Sequence, residues 1–295
     1  MGVLTGAFCT VGRTLCTEVS VSALRTRPTR ALFRIPTPTL AEPPKPRAGL
    51  PSIRGVDALG IAAIEAAIFC AAIVQGASGL GFNLTAAPIV NAIMPGPPSV
   101  GLINLFALLQ NAWLLSREKG RIHWAVFRIL GPALAVGVLL GFGMVRLIPD
   151  AVMPIIVALS ALASLVTLIA WKSGPGAGAG ITAGVWSGAI NTYAGVGGPP
   201  VASYLIAQGW AHGDFLRTLQ LVFIGIDLVS LPLLGLPALP WWFYAIAVAC
   251  LLAGSGVGAL LRRRLTHAQA ITLSRIVIAA AAVVSLGYSI VTLLG

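Results

Sequence analysis

The 295-residue chain is 57% hydrophobic and only 9% charged, with a mean hydropathy of +0.94. Those values exclude a water-soluble globular domain and describe an integral membrane protein. The formal charge of +11 would suggest a nucleic-acid partner in a soluble protein, but eight basic and two acidic residues in positions 1–56 supply +6 of it, so no such partner is expected.

Residues 1–56 read as a basic leader with no fold of its own. Its "RTRPTRALFRIPTPTLAEPPKPRAGLPSIRG" is rich in Arg, Thr and Pro, and the absence of an uninterrupted apolar core before residue 57 rules out a secretory signal peptide. An organellar transit peptide, a disordered tail and a start codon placed too far upstream all stay open.

Unbroken apolar runs long enough to cross a bilayer as helices follow at about 99–115, 125–146, 151–171, 216–235, 241–261 and 271–294. Two more segments, 57–95 and 181–209, are interrupted by Gly and Pro. No run alternates with the period of a membrane barrel strand, so the fold class is all-α and polytopic. Cys9, Cys16, Cys70 and Cys250 have no metal-binding spacing and read as packing residues, so neither a metal nor another cofactor is expected.

A shift of 116 residues lays "GASGLGFN" (76–83) on "TYAGVGGP" (192–199). It pairs Gly79 with Gly195, Gly81 with Gly197, Asn111 with Asp227 and Arg146 with Arg262. Each half, 57–172 and 173–295, then reads as one broken segment plus three transmembrane helices. The loop "SREKGRIH" (116–123) is basic and its counterpart "LPALP" (236–240) uncharged, whereas "RLIPD" (146–150) is neutral and its counterpart "RRRLTH" (262–267) strongly basic. Because short cytoplasmic loops gather Lys and Arg, equivalent loops are expected on opposite sides, which is an inverted-topology repeat. The expected location is the inner or plasma membrane, multi-pass, with the C-terminus outside; the basic leader argues against this orientation, but long tails obey the rule less well than short loops. With Lys172 and the loop 211–217 both inside, 181–209 has to enter and return as a re-entrant hairpin.

The break in "GAINTYAGVGGPP" (188–200) combines glycines, which free the backbone, with Pro199 and Pro200, which suit the first turn of a new helix. A half-helix starting there would offer free amides and a positive dipole end to an anion. The first half repeats the plan in "GASGLGFNLTAAP". The candidate substrate-binding residues are Ser78, Gly79, Gly81, Asn83, Thr85, Asn191, Thr192, Tyr193, Gly195, Gly197, Gly198 and Pro199. Gly137 with Gly141, and Gly254 with Gly258, read instead as close-packing positions.

"GVGGPPVASYLI" resembles the GxGGPP element of the TauE/SafE (sulfite exporter-type) membrane permeases, and "QGASGLGFNLTAAPIV" resembles a GxGF variant of the family's first motif; the resemblance covers roughly 57–295. It implies transport of a small sulfur-containing anion such as sulfite or an organosulfonate, and carries over Gly79, Gly81, Gly195, Gly197, Gly198 and Pro199 as functional positions.

Glu65 and Asp227 are the deepest charges and candidates for carrying a coupling proton, or else for structural hydrogen bonds. Arg128 and Arg275 lie near helix ends and are expected to snorkel, with attraction of the substrate by one of them as the alternative, and the three histidines lie in loops or at helix ends. An anion channel is the alternative to a permease. The "GASG" tetrad also matches the GxSG pattern of intramembrane proteases, but no histidine stands within a helix to serve as base, so no enzyme activity is expected. The sequence leaves a homo-oligomer open.

Overall fold

The computed structural model describes residues 56–170, 174–264 and 267–294. The leader to residue 55, with Cys9 and Cys16, and Lys172 lie outside the described residues. The ten helices among them are α1 (Ala58–Ser78), α2 (Phe82–Ile93), α3 (Pro97–Arg117), α4 (Trp124–Val145), α5 (Met153–Ala170), α6 (Ala177–Ala194), α7 (Gly198–Ala207), α8 (His212–Leu234), α9 (Trp241–Arg264) and α10 (His267–Leu294). No strand occurs among the described residues. Five helices, α1, α3, α4, α8 and α9, are long and apolar enough to cross a membrane. Each unbroken apolar run of the sequence coincides with one helix, and the two interrupted segments become the pairs α1–α2 and α6–α7.

Asp57 starts α1 by accepting a hydrogen bond from the Gly60 amide at 2.8 Å. Gly79 ends it in the left-handed conformation, φ 84°, donating its N–H to Gln75 O at 2.7 Å. The same device ends α6, where Gly195 has φ 74° and donates to Asn191 O at 2.9 Å. Past each stop the chain turns back. A Cβ on Gly60 would lie 3.1 Å from Ile93 at the far end of α2, and one on Gly180 would lie 2.8 Å from the Tyr204 ring near the end of α7. With 12 and 10 residues, α2 and α7 extend only about 18 and 15 Å, roughly half a hydrocarbon layer. Both pairs are thus hairpins with their tips inside the protein.

Close contacts along small residues hold the bundle. Gly254 and Gly258 of α9 face the carbonyls of Phe69 and Ile73 on α1, and Gly137 and Gly141 of α4 face those of Val185 and Ala189 on α6. Helices α3 and α8 run antiparallel, with Gly101 against the Gly235 carbonyl at one end and Gly213 against the Lys119 carbonyl at the other. At that second end a Glu118–Arg262 ion pair joins the end of α3 to α9, and the His123 ring stacks on Trp210 at 3.8 Å while bonding Asp214 at 3.2 Å. Facing outward are Leu139, Leu140, Val283, Val284 and Val291, all more than half exposed, with Trp124 and Trp241 at helix starts. Such a surface suits lipid and would be a liability in water.

These contacts make opposite predictions for glycines on the same two helices. Gly141→Val and Gly258→Val force backbones apart and should each cost about 1–3 kcal/mol of stability. Gly143→Ala and Gly256→Ala, whose new methyl groups would meet nothing within 4 Å, should be neutral or gain up to about 1 kcal/mol. Thermal unfolding of the purified variants in detergent checks the contrast, and equal effects at all four positions would refute it.

Candidate functional site

The two hairpin tips converge on a buried cavity. Leu80 to Leu84 line it from the first tip, Gly198, Pro199 and Ala202 from the second, and Asn111, Phe223, Ile226 and Asp227 from α3 and α8, with Gln75 and Asn191 completing the wall. Pro199 and Pro200 occupy the first turn of α7, where a missing N–H breaks no helical bond. Gly81, at φ 115°, holds the backbone turn that lets α2 begin.

Amide side chains knit the walls together. Gln75 accepts the Phe82 N–H at 2.9 Å, so it caps the first amide of α2, and it donates to Asn111 at 2.6 Å. Asn111 donates to Asp227 Oδ2 at 3.1 Å, and Asn191 to Asp227 Oδ1 at 3.5 Å. Asn83 reaches Asn191 at 3.3 Å and Asn104 at 3.4 Å. Asn104 donates to Ser230, and Gln220 donates to the Gly79 carbonyl at 2.7 Å. Gln75, Asn104, Asn111, Gln220 and Asp227 are each at most 3% exposed. An unmet polar group at that depth is costly, so the network fixes how the tips sit against α3 and α8. The pairs Gln75 with Asn191, Asn104 with Gln220, and Asn111 with Asp227 are each 116 positions apart.

Of the residues expected from sequence, Gly81, Asn83, Asn191, Gly198 and Pro199 line the cavity. Gly79, Gly195 and Gly197 shape the turns just behind it. Ser187 donates to the Gly197 carbonyl, closing the second turn. The remaining four lie off the lining. Ser78 is turned onto the carbonyls of Val74 and Leu80, and Thr192 onto that of Gly188. Thr85 is buried with an unpartnered hydroxyl, and Tyr193 packs against the apolar core.

The two deep carboxyl groups part company. Asp227 lines the cavity, whereas Glu65, 7% exposed on α1, is away from it beside Cys250 of α9, with no partner in hydrogen-bond geometry. Arg128 is exposed and Arg275 half-buried, both off the lining. Sequence reading did not nominate Gln75, Asn104, Phe223, Gln220 or Ser230. The available signal was an amide or hydroxyl inside an apolar run, sharpened by the offset of 116.

The sequence model of the sulfite exporter TauE/SafE family matches residues 64–288. The chain belongs to the TauE/SafE family. The match takes in both hairpin tips and every residue of the amide network. No curated protein and no solved structure matches the chain. TauE/SafE proteins are membrane transporters, and the expectation of a sulfite exporter-type transporter rests here on residues 64–288.

Proposed function

We propose that this TauE/SafE protein is a secondary transporter that exports a small sulfur-containing anion, such as sulfite or an organosulfonate, and binds it in the cavity between the hairpin tips. The observation that carries this reading is the convergence of two half-membrane helices, α2 and α7, on one buried cavity in a chain of this family. The start of α7, with the Gly198 amide and the positive end of the helix dipole, borders the same space as Asn83 and Asn191. A potential negative inside drives an anion outward by about 2.3 kcal/mol per charge per 100 mV, so export requires no coupled ion.

The chain is read as two inverted repeats, 57–172 and 173–295, in the inner or plasma membrane with the C-terminus outside. Three observations support that reading. The equivalent helices α3 and α8 run antiparallel, α1 packs on α9 as α6 packs on α4, and the amide network pairs residues 116 apart. The Glu118–Arg262 pair supports reading the two basic loop regions as lying on one side, taken as cytoplasmic from the distribution of Lys and Arg. Import against the potential would require coupling. Asp227, in the cavity, is the nearer candidate to carry that proton and Glu65, outside it, the more distant one.

Anion binding to the purified protein tests the site. A Cβ on Gly198 would lie 3.3 Å from Phe223 and crowd the start of α7. Gly198→Val should weaken sulfite binding at least tenfold, and Asn83→Ala should weaken it less, by one hydrogen bond worth about 0.5–1.5 kcal/mol. Thr192→Ala and Tyr193→Ala should leave it within twofold. Normal affinity in Gly198→Val would place the anion elsewhere.

Cysteine labelling tests the topology. Single cysteines at Glu118 and Arg263 should react only from the cytoplasm, and those at Pro149 and Ala238 only from outside; labelling of Glu118 and Ala238 from one side removes the inverted arrangement.

Coupling is read from flux against pH in proteoliposomes. If Asp227 has to be protonated for a plain anion to bind, flux rises as pH falls, and Asp227→Asn should abolish that dependence while Glu65→Gln retains it. The reverse pattern would assign the proton to Glu65, and two unaltered profiles would leave both as structural groups.

A further inference from the structure

Among the described residues the cavity is lined by one ionisable side chain, Asp227, and by no basic one. Asp227 is 2% exposed and lines it, and its two oxygens take N–H donors only from the neutral amides of Asn111 and Asn191. No Lys, Arg or His among the described residues lines the cavity, and neither ion pair of the described residues includes Asp227. A buried ionised carboxylate in such surroundings asks for a positive partner.

A metal ion is a poor candidate for that partner. Hard cations collect six or more oxygens, but the Asn111 oxygen already accepts from Gln75 and the Asn191 oxygen from Asn83, so the neighbours of Asp227 present N–H groups to it. An ammonium group needs only acceptors, and an ionised carboxylate has about four lone-pair positions, of which the two amides use two. At another wall stands the start of α7, where the Gly198 amide and the positive end of the helix dipole favour an acid group. Leu80, Phe82, Phe223 and Ile226 supply apolar surface for a short hydrocarbon link.

Resting on the reading of this cavity as the substrate site, we propose that of the substrates named above it takes an organosulfonate that is a zwitterion, with the acid head at the start of α7 and a protonated amine on Asp227; such a substrate has no net charge and is not driven by the membrane potential. A plain anion brings a second negative charge into the same low-dielectric space; at about 6 Å and an effective dielectric constant of 20 this weakens binding on the order of 100-fold unless Asp227 is protonated first. A zwitterion carries its own compensation and requires no such proton.

The test is calorimetric binding to the purified full-length protein at pH 7 with isosteric pairs. These are 2-aminoethanesulfonate against propane-1-sulfonate, and 3-aminopropanesulfonate against butane-1-sulfonate, where a methyl replaces the ammonium. At least one aminosulfonate should bind tenfold or more tighter than its partner. Asp227→Asn should weaken that aminosulfonate at least tenfold and leave the alkanesulfonate unchanged or tighter. Equal or tighter binding of both alkanesulfonates in the unmodified protein overturns the proposal, as does an Asp227→Asn variant that weakens both members of a pair by the same factor. If that variant does not fold, the ratio in the unmodified protein decides alone. Sulfite binding that Gly198→Val abolishes, with no aminosulfonate preferred, overturns the zwitterion and spares the cavity. Aminosulfonate binding that survives Gly198→Val overturns both.

Discussion

Backbone amides that stop halfway across a hydrocarbon layer have to be met by something other than water, and the remaining architecture follows from how this chain meets that demand. At the first tip a side chain does it, since Gln75 accepts the Phe82 amide and is itself held by Asn111. At the second tip the equivalent residue is Asn191, whose side chain bonds Asp227 instead. One tip is therefore capped from within, while the other opens its first turn onto the cavity. The two tips are built alike and differ in their chemistry, and that difference polarises the cavity between them.

Much of this was legible in the sequence because the signals were local. An apolar run of membrane length has few alternatives to a helix, and the runs 99–115 and 125–146 became α3 and α4 almost residue for residue. The breaks were equally plain, since Gly79 and Gly195 supply left-handed helix stops and Pro199 and Pro200 a restart. The four glycines read as packing positions face backbone carbonyls of neighbouring helices. Side-chain direction was not legible. Whether Ser78 or Thr192 looks into a cavity or folds back onto its own helix depends on which face the neighbours cover, and short hydroxyls readily take a carbonyl of the preceding turn. Gln75 and Gln220 escaped notice for the opposite reason: a single amide in a greasy run carries no sign of its partner until helices distant in sequence are brought together.

The glycine contacts and the amide network do different jobs. Where α1 meets α9 and α6 meets α4, the backbones approach so closely that a single methyl group has no room, and such interfaces are suited to moving as units. The amide contacts that tie the tips to each other and to α3 and α8 are directional, and several of them are 3.3 to 3.5 Å long. An ion pair and a ring stack fasten the 118–123 loop at one end of α3 and α8, so the network and these fastenings together hold the tips in the arrangement seen.

Asp227 shows why near-symmetry matters more than symmetry. Its mate at the same offset is Asn111, the side chain that donates to it across the interface of α3 and α8. Two asparagines there could share a hydrogen bond without charge, and two aspartates would repel unless one held a proton. One of each gives a single carboxylate with a built-in donor, at a position both halves touch. If the halves are inverted repeats that move against each other, a charge so placed touches both, and its compensation by a proton or by a substrate's own amine would bias both arrangements from one point. Glu65 lacks that leverage: it stands off the cavity on α1, beside α9, and its position at 181 in the second half is an isoleucine.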